Sequence, residues 1–118
     1  MPAYVDGFVL PVPAKNLAAY RRMALRAEKV WLAQGALDYR ECALEDPKAA
    51  FGLPFSQLVK PKRGETIVFA WITFKSRAHR DRVNAAVMKD PRLKCDPDAM
   101  PFDCTRMAYG GFKTLVGK

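Results

Sequence analysis

The sequence predicts an α+β domain: a ferredoxin-like β-α-β-β-α-β chain carrying one extra hairpin strand. Three observations carry that expectation. The chain has 118 residues, enough for one hydrophobic core and too few for two. Residues 3–12 and 65–75 are rich in β-branched and aromatic types and read as strands. Residues 14–34 and 77–89 repeat their apolar side chains every three or four positions, as helices do.

The first strand ends at Pro11 and Pro13. Its alternation sets Tyr4, Asp6, Phe8 and Leu10 on one face, and Val5, Gly7 and Val9 on the other. The first helix carries an apolar stripe of Leu17, Tyr20, Ala24, Ala27 and Trp31, backed by Arg21, Arg22, Arg26 and Lys29, and it stops at Gly35. Residues 36–45 return to strand character, with Leu37, Tyr39 and Glu41 sharing a face. A connection broken by Pro47, Gly52 and Pro54 follows. Residues 55–60 and 65–75 then read as a hairpin around Pro61-Lys62-Arg63-Gly64. Its second strand is the most apolar stretch in the chain, with Ile67, Phe69, Trp71 and Thr73 on one face.

Ser76 caps the second helix, and Asp90-Pro91 stops it. His79, Val83, Ala86 and Val87 form its inward face, and His79 reads as a half-buried or surface histidine. Residues 90–103, with Pro91, Pro97 and Pro101, read as a structured loop. Met100-Pro101-Phe102-Asp103 within it reads as a lid or, preferred because prolines reduce flexibility, a rigid wrap tying the second helix to the sheet. The last strand spans about 105–116 and contains Gly110-Gly111, the mark of a bulge or a close backbone approach. Thr105, Met107 and Tyr109 share one of its faces, and Arg106 lies on the other.

The remaining chemistry is mostly exclusion. Cys42, Cys95 and Cys104 contain no C-x-x-C pair and are odd in number, which predicts reduced thiols in a cytoplasmic protein. With His79 they make only four soft ligands, scattered from 42 to 104, so no metal site is expected. Neither a dinucleotide fingerprint nor a P-loop is present, and no cofactor is expected. No apolar run approaches the roughly 20 residues of a membrane helix, and the N-terminus lacks the pattern of a secretory signal. Twenty Lys+Arg against 12 Asp+Glu leave a net charge of +8. The cations are spread over two helices and a turn, which predicts weak, unspecific attraction to nucleic acid.

Both faces of the two principal strands look apolar, while a ferredoxin-like sheet places its helices on one face only. The other face needs a cover, and a second copy of the chain is the expected one. Here the residues become familiar. Tyr-Val-Asp-Gly-Phe-Val-Leu-Pro-Val-Pro (4–13), Ser-Arg-Ala-His-Arg-Asp-Arg-Val-Asn (76–84), Asp-Pro-Arg (90–92) and the run from Met100 to Phe112 resemble a bacterial family known as a domain of unknown function. Some of its members carry the label "RNA signal recognition particle", which names an RNA and not an activity. The family is similar to the dimeric α/β-barrel superfamily, in which two ferredoxin-like sheets pack face to face. Relatives of that fold include cofactor-free monooxygenases, lactone isomerases and haem-binding enzymes. The resemblance implies a homodimer with a ligand cavity against the sheet and no specific catalytic residue.

Asp6 is then the weak candidate for catalysis, because a carboxylate in apolar surroundings can serve as acid or base. The structural alternative pairs it with an arginine such as Arg106, or with backbone amides. Tyr4, Phe8, Trp71 and Tyr109, with Tyr39, are candidate ligand-binding aromatics, or else core. Three readings follow: a cavity that binds a small organic molecule, with or without cofactor-independent catalysis; an RNA-binding basic surface; and a structural dimer without ligand.

Overall fold

The computed structural model describes residues 2–93, 96 and 99–117. Cys95 and Pro97, a predicted thiol and a predicted loop proline, lie outside the described residues. Strand β1 (Tyr4–Pro13) leads through a single 3-10 turn into helix α1 (Leu17–Ala33). Strand β2 (Asp38–Ala43), the short helix α2 (Phe55–Val59), strand β3 (Glu65–Phe74), helix α3 (Arg77–Lys89) and strand β4 (Ala108–Lys113) complete the chain. The four strands form one open sheet in the order β2-β3-β1-β4, with every neighbouring pair antiparallel. The two longest strands occupy its centre, as their apolar sequences require.

Register explains the core. Leu10 faces Val68, Phe8 faces Ala70 and Asp6 faces Ile72, so these residues share the sheet face that receives both long helices. One cluster joins Leu10, Val12 and Val68 to Tyr20 and Ala24 of α1. Another joins Ile72 and Phe74 to Val30 of α1 and to Val83 and Val87 of α3. Gly35 takes a φ of +116°, a conformation that ends α1. Ser76 caps α3 by accepting a 3.2 Å hydrogen bond from the His79 amide. The half-buried His79 ring stands edge-on to Phe74.

The structure corrects the sequence reading in three places. Residues 55–60 do not form a hairpin strand. Phe55–Val59 is a helical turn, entered at Pro54 and closed by Lys60 in the left-handed region at φ 54°. The three- and four-residue spacing of Phe55, Leu58 and Val59 suits that turn as well as a strand. This helix packs against β1 and β3 on the second sheet face, with the Phe55 ring 6.1 Å from Phe69, so part of that face is covered from within the chain. Second, residues 104–106 form a 3-10 turn capped by Asp103, and β4 is shorter than expected. Third, Gly110-Gly111 is not a bulge, because the β1–β4 register runs unbroken from Tyr4–Lys113 to Val9–Ala108. Gly111 serves close approach instead. A Cβ on Gly111 would lie 2.5 Å from the Tyr4 hydroxyl and 2.9 Å from Arg80 Nη2.

Candidate functional site

Between α1 and the helix-covered face of the sheet lies a cavity of about 320 Å³. Ala27 of α1 and Ala70 of β3 are too small to fill the space between their elements. Phe8, Met23, Trp31, Met88, Phe102 and Met107 close it in, drawn from β1, both long helices and the segment before β4. That last segment is tied to α1. The Asn16 amide donates to the Pro101 carbonyl at 3.0 Å, and the Phe102 ring stands edge-on to Tyr20 at 5.4 Å. The described part of this segment is therefore anchored on the first helix, where the sequence predicts a wrap tying the second helix to the sheet.

One charged side chain among the described residues lines this apolar space. Alternation along β2 turns Tyr39 and Glu41 towards α1, opposite Ile72 and Ala70 of β3. The Tyr39 hydroxyl donates to Glu41 Oε2 at 2.6 Å, and the Tyr20 hydroxyl donates to Oε1. Burial, reinforced by the Glu41 charge, pushes both phenols well above the ordinary tyrosine range, so they stay protonated as donors. No Lys, Arg or His among the described residues forms an ion pair with Glu41. The same carboxylate also borders an open groove of about 430 Å³ between α1 and β2, with Arg21 and Glu28 on its rim.

The residues singled out in the sequence divide between two places. Phe8 lines the cavity. Its ring stacks on Tyr109 at 4.9 Å, and beyond it lies a polar cluster built around Asp6. That carboxylate is 1% exposed. Arg80 Nε lies 3.7 Å from Asp6 Oδ1, and Asn84 donates to Oδ2 at 3.2 Å. Asn84 in turn accepts from the Trp31 indole at 3.0 Å, which links the cluster to the cavity wall. Tyr4 and Tyr109 do not line the cavity. They hold Arg80 between their hydroxyls at 3.3 and 3.2 Å, with the guanidinium 4.9 Å from the Tyr4 ring centre. Burial raises the Asp6 pKa, and the Asn84 bond and the Arg80 charge oppose it.

The expected arginine partner is corrected: Asp6 pairs with Arg80, while Arg106 forms its ion pair with Glu65 at 2.8 Å. Trp71 borders the cavity between Ala70 and Ile72 of β3, while its ring packs on the second sheet face. It faces Gly7 and Arg40 across the sheet, and its ring stands 5.5 Å from Phe69 and 5.9 Å from the Arg40 guanidinium.

Sequence reasoning did not single out Glu41, Tyr20 or Arg80. A signal for the first was present. Glu41 shares a strand face with Tyr39, the same pattern of a carboxylate among apolar neighbours that drew attention to Asp6.

The arrangement defines an α+β protein with a half-open, aromatic and methionine-lined cavity bearing one carboxylate among the described residues. The sequence pattern of the family described as "Protein of unknown function (DUF1428)" matches residues 3–104, and the chain belongs to that family. It is also similar to "Uncharacterized protein YbaA" of Escherichia coli strain K12, at 42% identity over 113 residues covering 96% of this chain and 97% of the relative. The protein of the same name from Shigella flexneri matches to the same extent.

Proposed function

We propose that the protein binds a small organic molecule in the cavity beneath α1. The carrying observation is the cavity itself: about 320 Å³ of apolar space with one polar clasp, Glu41 held by two tyrosines. Small-molecule sites have this character, at volumes from roughly 300 Å³ upwards, with few polar groups to fix orientation. Asp6, Tyr4 and Tyr109 brace the wall through Asn84 and Phe8 in this reading. We also propose that two copies pair through the second sheet face, completing a dimeric barrel. Phe69 and Phe112 there are 44% and 60% exposed, beside the half-buried Trp71. The free, exposed thiols of Cys42 and Cys104 support a reducing, cytoplasmic setting.

Methionine NMR tests the cavity directly. Four of the five methionines, Met23, Met88, Met100 and Met107, line it, so ¹³C-methyl labels report its occupancy. Indole or toluene should shift these four resonances saturably, and Ala27→Leu, which fills the space, should abolish the response. Shifts that never saturate, or that persist in Ala27→Leu, would show that the cavity is not a site.

A further inference from the structure

We infer that the ligand is an organic cation, an alkylated or aromatic ammonium whose charge meets Glu41 and whose body fills the aromatic cavity. This rests on the cavity reading and adds the class of ligand. The argument starts from an imbalance. The chain carries 20 Lys and Arg against 12 Asp and Glu. Among the described residues, Asp6, Asp81, Asp90 and Glu65 have an arginine within ion-pair distance. Glu41 faces the cavity without one among the described residues, although cations are abundant in this chain. Its clasp consists of two neutral hydroxyl donors, which hold the carboxylate in place and leave its charge uncompensated. A carboxylate has about four acceptor positions. Two are filled by the tyrosines, so capacity remains for a third donor or a cation.

The walls suit the same guest. A cation is attracted to the face of an aromatic ring within about 6 Å of its centre, and Trp and Tyr faces are the best. Trp31 and Tyr39 stand with ring centres 6.0 Å apart, and Tyr20 and Phe102 stand 5.4 Å apart; all four rings border the cavity beside Glu41. A neutral apolar guest would gain from burial but would leave the carboxylate's charge desolvated and uncompensated, which is costly. An anionic guest would be repelled by it. A positively charged guest satisfies the walls and the clasp together and also compensates the charge, which a neutral donor would not.

The test compares two probes of nearly identical shape, benzyltrimethylammonium and its carbon isostere neopentylbenzene, on the full chain with methyl-labelled methionines. The cation should bind at least tenfold more tightly than the isostere. Glu41→Gln should remove most of that preference by weakening the cation's binding. Equal binding of the two probes overturns the cation inference while the cavity reading stands. Failure of both probes to shift Met23 or Met107 overturns the cavity reading and this inference with it. The comparison in the unsubstituted chain decides the matter even where Glu41→Gln folds poorly.

Discussion

Gly111→Ala tests the contact that joins the sheet edge to α3. The new Cβ would lie 2.5 Å from the Tyr4 hydroxyl, 2.8 Å from Tyr4 Cε2 and 2.9 Å from Arg80 Nη2. The ring must retreat by about 1 Å to restore ordinary carbon contact. That movement breaks the 3.3 Å hydrogen bond from Arg80 to Tyr4 and lifts the guanidinium off the ring. Overpacking of this kind costs about 1–3 kcal/mol. The lost polar contacts add about 1 kcal/mol at this partly exposed arginine, and the stiffer alanine backbone returns a little less than that. The expected net loss is about 2 kcal/mol, or a melting temperature lower by roughly 6–12 °C. Gly110→Ala is the control. Its Cβ lies on the opposite face, 3.4 Å from the ring of Phe112, which is exposed and free to yield, so the change should stay within about 0.5 kcal/mol. Thermal unfolding followed by circular dichroism measures both. Tyr4→Phe removes the nearest clashing atom and should recover part of the Gly111→Ala loss. Equal melting of the two glycine variants would refute the described packing of Tyr4 and Arg80 over Gly111.

Other outcomes follow from the same geometry. Burial raises the Asp6 pKa, so the folded chain holds this proton to higher pH than the unfolded chain does. Its contribution is therefore present in acid and lost as pH rises through the folded value. Urea unfolding from pH 4 to 8 should show the unsubstituted chain gaining on Asp6→Asn as the pH falls, and the opposite trend would contradict the assignment. Light scattering at micromolar concentration should give about twice 13.3 kDa. Phe69→Lys should return the single-chain mass, and a folded monomer without substitution would eliminate the sheet-to-sheet dimer. Attraction to RNA should be unselective and fall, for each tenfold rise in salt, by roughly 0.7–0.9 in log K per phosphate neutralised. Sequence-selective anisotropy binding at physiological salt would instead make the basic surface the site.

The long elements were legible because periodicity accumulates with length. β1, β3, α1 and α3 each offer ten or more residues over which one period can outvote the other. The five residues of α2 offer a single helical turn, so Phe55, Leu58 and Val59 fit either reading, and only contact with the sheet decides between them. The site was harder to see for a different reason. Glu41 sits in a six-residue edge strand with exposed neighbours, where a carboxylate looks ordinary until α1 is laid across it. Arg80 stands in a run of cations that resembles a wet helix face. Its place one turn before Asn84, on the inward edge of α3, follows from packing against β1. Asp6 was conspicuous because its neighbours on both sides are apolar.

The strand order has a consequence for how the chain comes to be folded. β1 lies third in the sheet, and one of its edges is completed by β4, so residue 9 pairs with residue 108. Pairings this distant in sequence form slowly, because a long loop must close before any contact rewards it. At about 5–20 residues per second of synthesis, the first strand waits on the order of 5–20 s for its partner to exist. During that wait its backbone donors and acceptors form an open edge beside Val5 and Val9, the kind of template on which nascent chains misassociate. Gly111 of β4, which admits Tyr4 and Arg80, thus sits in the segment that ends this exposure.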